Sequence, residues 1–193
     1  MNKKMVLAAL LSIATVFGAS AQKLSGDISS LQGEQQVNVV IDFDGTLVNG
    51  KAEEKYIADE TKRMNATEKE EWLEDWNEKI HSQAAELFAV EVNNNLKNQT
   101  FTVGNYPDAE YTINIKVLDI TTGFFAAIVN KASALKVEVT FIKKGETAPL
   151  ATIPYKNVSN AASSYIPYYV TRIVMSFGTL GMNVAAVMNK NLK

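Results

Sequence analysis

The chain has no cysteine, one histidine and only four prolines. Without cysteine there is no disulfide and no thiolate nucleophile, so packing alone must hold the fold. A single histidine, His81, cannot build a histidine metal cluster. A serine triad would have to be built around it, and no Gly-x-Ser-x-Gly elbow accompanies it, so it is read as a helix-surface residue. Phosphate-loop and dinucleotide fingerprints are missing as well. Nor is there an excess of basic charge. The 19 Lys and Arg against 21 Asp and Glu give a formal charge of −2, which leaves no footprint for nucleic acid. The acidic residues concentrate between Glu53 and Glu78, as on a solvated helical face. No long uncharged run is convincingly transmembrane: residues 173–188 fall short of the roughly 20 a span needs and include Ser176, Thr179 and Asn183. That stretch is expected to be a helix buried on a sheet, with Gly178 and Gly181 allowing close approach to the strands.

What is present begins with an export-like leader. Lys3 and Lys4 precede an apolar stretch from Met5 to Phe17, and Ala19-Ser20-Ala21 supplies small residues before Gln22. Residues 1–21 are therefore expected to be a cleaved signal peptide, with no membrane span once it is gone. Taking away Lys3 and Lys4 moves the formal charge from −2 to −4. Export without disulfides suits a bacterial periplasm. Residues 22–36, rich in Gln, Ser and Gly, are expected to be a flexible lead-in, and residues 37–193 a single domain.

Periodicity then sets the elements. Val37, Val39, Ile41 and Phe43 alternate with more polar neighbours, as in a strand with one apolar face. Residues 52–62 are helix-prone, with Tyr56 and Ile57 as the buried contacts. Thr67 and Glu70 have capping-box spacing, predicting a helix that runs, with a kink, to about Leu96. Trp72 and Trp76, four apart, are expected to pack against a sheet rather than to bind a sugar. Asn93-Asn94-Asn95 simply ends that helix. Tyr111, Ile113, Ile115 and Val117 form a second alternating strand, and Leu135, Val137, Val139 and Phe141 a third. A turn at Lys143-Lys144-Gly145-Glu146 leads into a fourth over residues 149–155. Between the second and third strands, Phe124-Phe125 lies in an apolar connection and is expected to be buried; exposed, it would mark a partner or lipid surface. A last helix is predicted from Tyr165, with Pro167 in its first turn. The expected fold class is α+β: a single, mostly antiparallel sheet with helices packed on one face.

One string carries catalytic chemistry. Asp42-Phe43-Asp44-Gly45-Thr46, after an apolar strand, resembles the nucleophile motif of the haloacid dehalogenase-type phosphatases. The resemblance implies Asp42 as nucleophile, Asp44 as general acid and base, and magnesium on the Asp42 carboxylate and the Asp44 carbonyl. A strand ending at Thr121 could follow, and Lys131 or Lys136 could neutralise phosphate. The final motif, further carboxylates completing the metal site, has no match: no aspartate follows Asp119, and Glu138 and Glu146 stand alone.

The layout of the whole chain resembles small bacterial exported domains of the TolB amino-terminal and CsgG-like group. The features that carry it are the opening strand over residues 37–43, the phrase Ala109-Glu110-Tyr111-Thr112-Ile113-Asn114-Ile115 leading to Asp119-Ile120, the hairpin after it, and Ser176-Phe177-Gly178-Thr179-Leu180-Gly181 in the last helix. The resemblance implies an accessory or assembly role in the cell envelope, with no catalytic or metal residues to transfer. The expectation is thus a non-enzymatic envelope accessory protein, without cofactor, whose partner is a protein or other envelope component. The alternative is a magnesium-dependent phosphatase using Asp42 and Asp44.

Overall fold

The computed structural model describes residues 23–126 and 129–192 of the 193; the expected signal peptide lies outside them. The strands are β1 (Ser25–Gly26), β2 (Gln36–Asp42), β3 (Leu47–Val48), β4 (Lys51–Ala52), β5 (Thr102–Gly104), β6 (Tyr111–Thr121), β7 (Ala134–Lys143) and β8 (Ala151–Ser159). The helices are α1 (Glu53–Thr61), α2 (Ala66–Glu74), α3 (His81–Asn95) and α4 (Tyr169–Asn191). Strand order across the sheet is β1-β8-β7-β6-β2-β5, with β3 beside β6 and β4 beside β3.

The class is α+β, but the sheet is mixed. β6, β7, β8 and β1 are antiparallel neighbours, whereas β2 lies parallel to both β6 and β5. A parallel partner requires a long crossover, and here α1, α2 and α3 supply it between β2 and β6. Alternation in β2 reports only that one sheet face is wet. Helices stack on the other face alone, so a parallel strand can alternate as cleanly as an antiparallel one. Ile113, Ile115 and Val117 of β6, Val137, Val139 and Phe141 of β7, and Ile153 and Tyr155 of β8 are all buried on that covered face. Burying a side chain of this size contributes about 1.5–3 kcal/mol, so the sheet and its helices stabilise each other.

Between α2 and α3 the helix does not break. A π-helical segment, Asp75–Ile80, joins them. Trp76, Ile80, Ala84, Phe88 and Val92, each four apart, are all buried. In an α-helix such a stripe drifts by about 40° per step; the wider π turn winds more slowly and holds it on the core. The helix starts earlier than Thr67 suggests. Asn65 is the cap, accepting from the Glu68 amide at 3.0 Å while the Glu68 carboxylate accepts from the Asn65 amide at 2.9 Å. The asparagine run is also more than a terminus. Asn93 bonds both the N–H and the C=O of Val103 in β5, each at 2.8 Å, so its amide stands in for a further strand.

α4 is long and apolar enough to cross a membrane by length and composition, with mean hydropathy 1.4, but 61% of that window is buried inside the protein. Its glycines do not face the strands. A Cβ on Gly178 would meet the Leu87 side chain, and one on Gly181 would sit 2.5 Å from the Phe88 carbonyl oxygen, so the small residues bring α4 against α3. The helix begins at Tyr169, past Pro167 rather than around it. Proline holds the preceding Ile166 in extended backbone. In the stretch read as a flexible lead-in, Ile28 and Leu31 are fully buried and β1 pairs with β8; two apolar anchors are too few to give a periodic signal.

Candidate functional site

The Asp42–Thr46 string sits where β2 leaves its ladder. Asp42 is in register with Lys116 of β6, and Leu47 of β3 is next in register with Asp119, so five steps on one strand match three on the other. The surplus is looped out. The Thr46 amide closes a turn onto the Phe43 carbonyl at 3.0 Å, Gly45 adopts φ +69°, and the Thr46 hydroxyl ties the loop to the Val117 carbonyl at 2.9 Å. After this loop the chain returns to the sheet as β3. Asp42 accepts from the Asp44 amide at 2.8 Å and from the Lys116 ammonium at 2.7 Å, and Lys116 also donates to the Asp44 carbonyl at 2.5 Å. The lysine bond, first, and the Asp44 amide hold the Asp42 carboxyl below its ordinary value.

The two oxygens that would hold magnesium in a phosphatase are thus the two that hold a lysine ammonium. The donor set does not suit a hard cation. A divalent ion there would meet a fixed positive charge and one nearby carboxylate. Glu138 lies in register with Lys116 on its other side, and no three His, Asp or Glu side chains among the described residues gather as metal ligands. Neither Lys131 nor Lys136 bonds Asp42; Lys136 is in register with Asp119.

A second site is built at the end of the sheet where β6 and β8 finish and α4 begins. Arg172, in the first turns of α4, is buried, and no carboxylate among the described residues forms an ion pair with it. Its Nε donates to the Thr122 carbonyl at 3.2 Å, and one terminal nitrogen donates to the carbonyls of Ile166 at 2.8 Å and Pro167 at 2.6 Å. Burial lowers its pKa, and Tyr56 nearby opposes that shift. The guanidinium thereby ties the β6–β7 connection to the β8–α4 connection. Beneath it, Ser133 donates to the Arg172 carbonyl and meets the Ser176 hydroxyl at 2.7 Å, while Ser159 donates to the Ser133 carbonyl at 2.6 Å.

The loops so joined present aromatic side chains outward. Phe124 and Phe125 are each 46% exposed and Val129 61%, and on the other loop Tyr165 is 73% exposed. This overturns the expectation that the two phenylalanines are buried. Gly123 explains the geometry: at φ +65° its backbone runs so close to Lys131 and Ala132 that a Cβ would lie 2.3 Å from the Lys131 carbonyl. That approach makes the short Phe124–Lys131 bridge and leaves the apolar tip beyond the sheet. Pro167 and Tyr168 extend the surface, where Lys131 is the one charge between Asp119 and Lys136. Isolated apolar residues on a surface are ordinary; here several lie on two loops that one buried guanidinium joins.

Of the two tryptophans only Trp76 is fully buried, and both pack in an aromatic cluster with Tyr56 of α1 and Tyr169 of α4 rather than directly on the sheet. Trp76 is buried, stacks on Trp72 with centroids 5.4 Å apart, and donates its indole N–H to Glu53 at 2.7 Å. Tyr169 stacks on Trp72, and Tyr168 donates to Asp75 at 2.5 Å. Burial pushes the Tyr56 phenol, packed on both tryptophans, up to about 12. Sequence reasoning missed Arg172. A lone arginine after Pro167 in an otherwise apolar helix start was the available signal.

His81 stacks face to face on Phe43, centroids 4.0 Å apart. Desolvation lowers its pKa, with Glu53 opposing. An unfolded histidine therefore binds protons more readily, so this contribution to stability is intact above about pH 6.5 and is lost as pH falls below it. Melting temperatures measured from about pH 7.5 to 5 should fall more steeply for the native protein than for His81→Phe, which keeps a stacked ring. Equal slopes would remove His81 as the cause.

The fold and its two sites define an α+β domain with a mixed sheet, helices on one face and exposed aromatic side chains on two loops at one end. No protein-family model matches the chain, and no curated protein does. Among solved structures it is similar to a PelC dodecamer from Paraburkholderia phytofirmans, at 8% identity over 83% of this chain and 96% of that one, with a TM-score of 0.43. A variant of that dodecamer gives 10% identity, 89% and 97% coverage and a TM-score of 0.44. A homologue of the neuraminyllactose-binding hemagglutinin from Helicobacter pylori gives 10% identity, 88% coverage of each chain and a TM-score of 0.33.

Proposed function

We propose that this is an exported, non-catalytic accessory protein of the bacterial cell envelope that engages a protein or other envelope component through its aromatic end. The observation that carries the reading is the exposure of Phe124, Phe125 and Val129 on a loop gripped from below by Arg172. Exposed aromatic rings on a rigid support offer contact area at low entropic cost, which is how interface anchors work. The leader-like residues 1–21 and the resemblance to the TolB amino-terminal and CsgG-like group support an envelope location. The Lys116 ammonium on both oxygens of the candidate magnesium site favours this reading over a phosphatase.

The double variant Phe124→Ser, Phe125→Ser separates binding from folding. Both rings are about half exposed, so the melting temperature should move little. Site-specific photocrosslinking in intact cells from position 129 should trap a defined partner with the native protein and lose it with the variant. Crosslinks that persist unchanged in the variant would overturn the assignment of this surface.

A further inference from the structure

The sheet has an unfinished edge. β5 pairs with β2 only at residues 36–38, and from Val39 to Asp42 no strand among the described residues lies on the side of β2 away from β6. α3 does not seal that side. It is held against the sheet at one end by the Asn93 amide on Val103 and at the other by His81 stacked on Phe43. Between those two ties lies a groove of about 530 Å3. One wall is Val39 with the end of β5, and the other is the flank of α3 carrying Ser82, Ala85, Glu86, Ala89 and Val90. These positions recur at three- and four-residue spacing, so they form one continuous stripe. It runs beside the Ala84, Phe88 and Val92 stripe that enters the core, which it touches at the buried Ala89.

We propose that this groove accepts an extended segment of a partner protein, which adds to β2 as a strand in line with β5. Three features select that occupant. An edge strand turns unpaired N–H and C=O groups outward, and an extended backbone satisfies them most completely. At about 3.3 Å per residue, the open residues 39–42 match about four residues of the incoming strand. The α3 wall is low, built of serine, alanine and valine, so side chains directed at it must be small and aliphatic. Charge fixes the rest: among the described residues Glu86 is the one charged side chain lining the groove, so the segment carries a lysine or arginine opposite it. The protein already uses this mode of pairing, since Asn93 presents a strand-like amide to the neighbouring edge of β5. This inference is independent of the aromatic end.

The test uses the peptide acetyl-Lys-Val-Ala-Val-Thr-Val-amide and amide NMR spectra of the protein. Binding should shift the resonances of residues 39–42 and 82–90 and slow amide exchange on the open edge of β2. Methylating alternate backbone nitrogens of the peptide, so that its donors toward β2 are lost, should weaken binding about tenfold or more. Ala85→Arg, which obstructs the groove from a solvent-facing flank, should do the same while the melting temperature and the spectrum elsewhere stay native. The proposal is overturned by equal affinity of the methylated peptide, by shifts confined to the Phe124-Phe125 loop, or by no binding at about 1 mM. It is also overturned if a second copy of the chain, detected by sedimentation without peptide, occupies the edge.

Discussion

Replacing Gly181 with leucine should cost about 3 kcal/mol of stability or more, seen as a lower urea midpoint at unchanged slope. The reason is backbone against backbone. Even a Cβ at this position would stand 2.5 Å from the Phe88 carbonyl oxygen and 3.0 Å from the Glu91 Cβ. A carbonyl in the middle of α3 cannot rotate aside without breaking its own helix, so the two helices must part. Separation opens the core that Phe88, Phe177 and Leu180 fill. Gly178→Ala supplies the contrast. Its Cβ would meet only side-chain atoms, Leu87 at 3.0 and 3.1 Å and the Glu91 Cγ at 3.5 Å, and that partly buried leucine can move. Alanine also gains about 1 kcal/mol over glycine within a helix, so this variant should be close to neutral. Equal losses at both positions would show that helix contact distance is not what the glycines set.

Arg172→Met should lower stability by about 3 kcal/mol and loosen the aromatic end. Each hydrogen bond to a charged group contributes about 1.5–3 kcal/mol. Methionine leaves the carbonyls of Thr122, Ile166 and Pro167 without their donors. Removing a buried charge returns part of that loss. The more informative readout is local. Amide exchange at Phe124, Phe125 and Tyr165 should accelerate about tenfold beyond the change in strands β6 and β7. Arg172→Lys should restore little, because an ammonium cannot reach both loops as the planar guanidinium does. Exchange that rises equally everywhere would reduce Arg172 to a general contributor to stability.

The fold was legible where a signal is local. Alternation over Tyr111 to Val117 and Leu135 to Phe141 located β6 and β7, and the four-residue spacing from Trp72 to Phe88 located a single long helix. Partner choice is not local. Asp42 and Lys116 are 74 residues apart, and nothing in their neighbourhoods says that β2 pairs in parallel with β6. The same gap hid the Asp42 site. The string resembles a nucleophile loop, but it is the approach of Lys116 across the sheet that fills its cation position. Composition misled at Phe124-Phe125: apolar residues between two core strands are ordinarily buried. Gly123 and the Phe124–Lys131 bridge close the connection early and leave no wall for the rings to enter.

By itself the sequence determined which residue types are available for chemistry and located the long strands β2, β6, β7 and β8 and the main helices. Cysteine is missing and histidine is single, so thiolate chemistry and a histidine metal cluster are unavailable before any folding, and hydrophobic period marks the long helices and strands because each must present one face to a core. The tertiary structure alone decided the parallel placement of β2, the lysine on Asp42, the arginine joining two loops, and the open edge beside α3. Each depends on which distant segments meet, and that follows from the packing of helices on one sheet face rather than from any short run of residues.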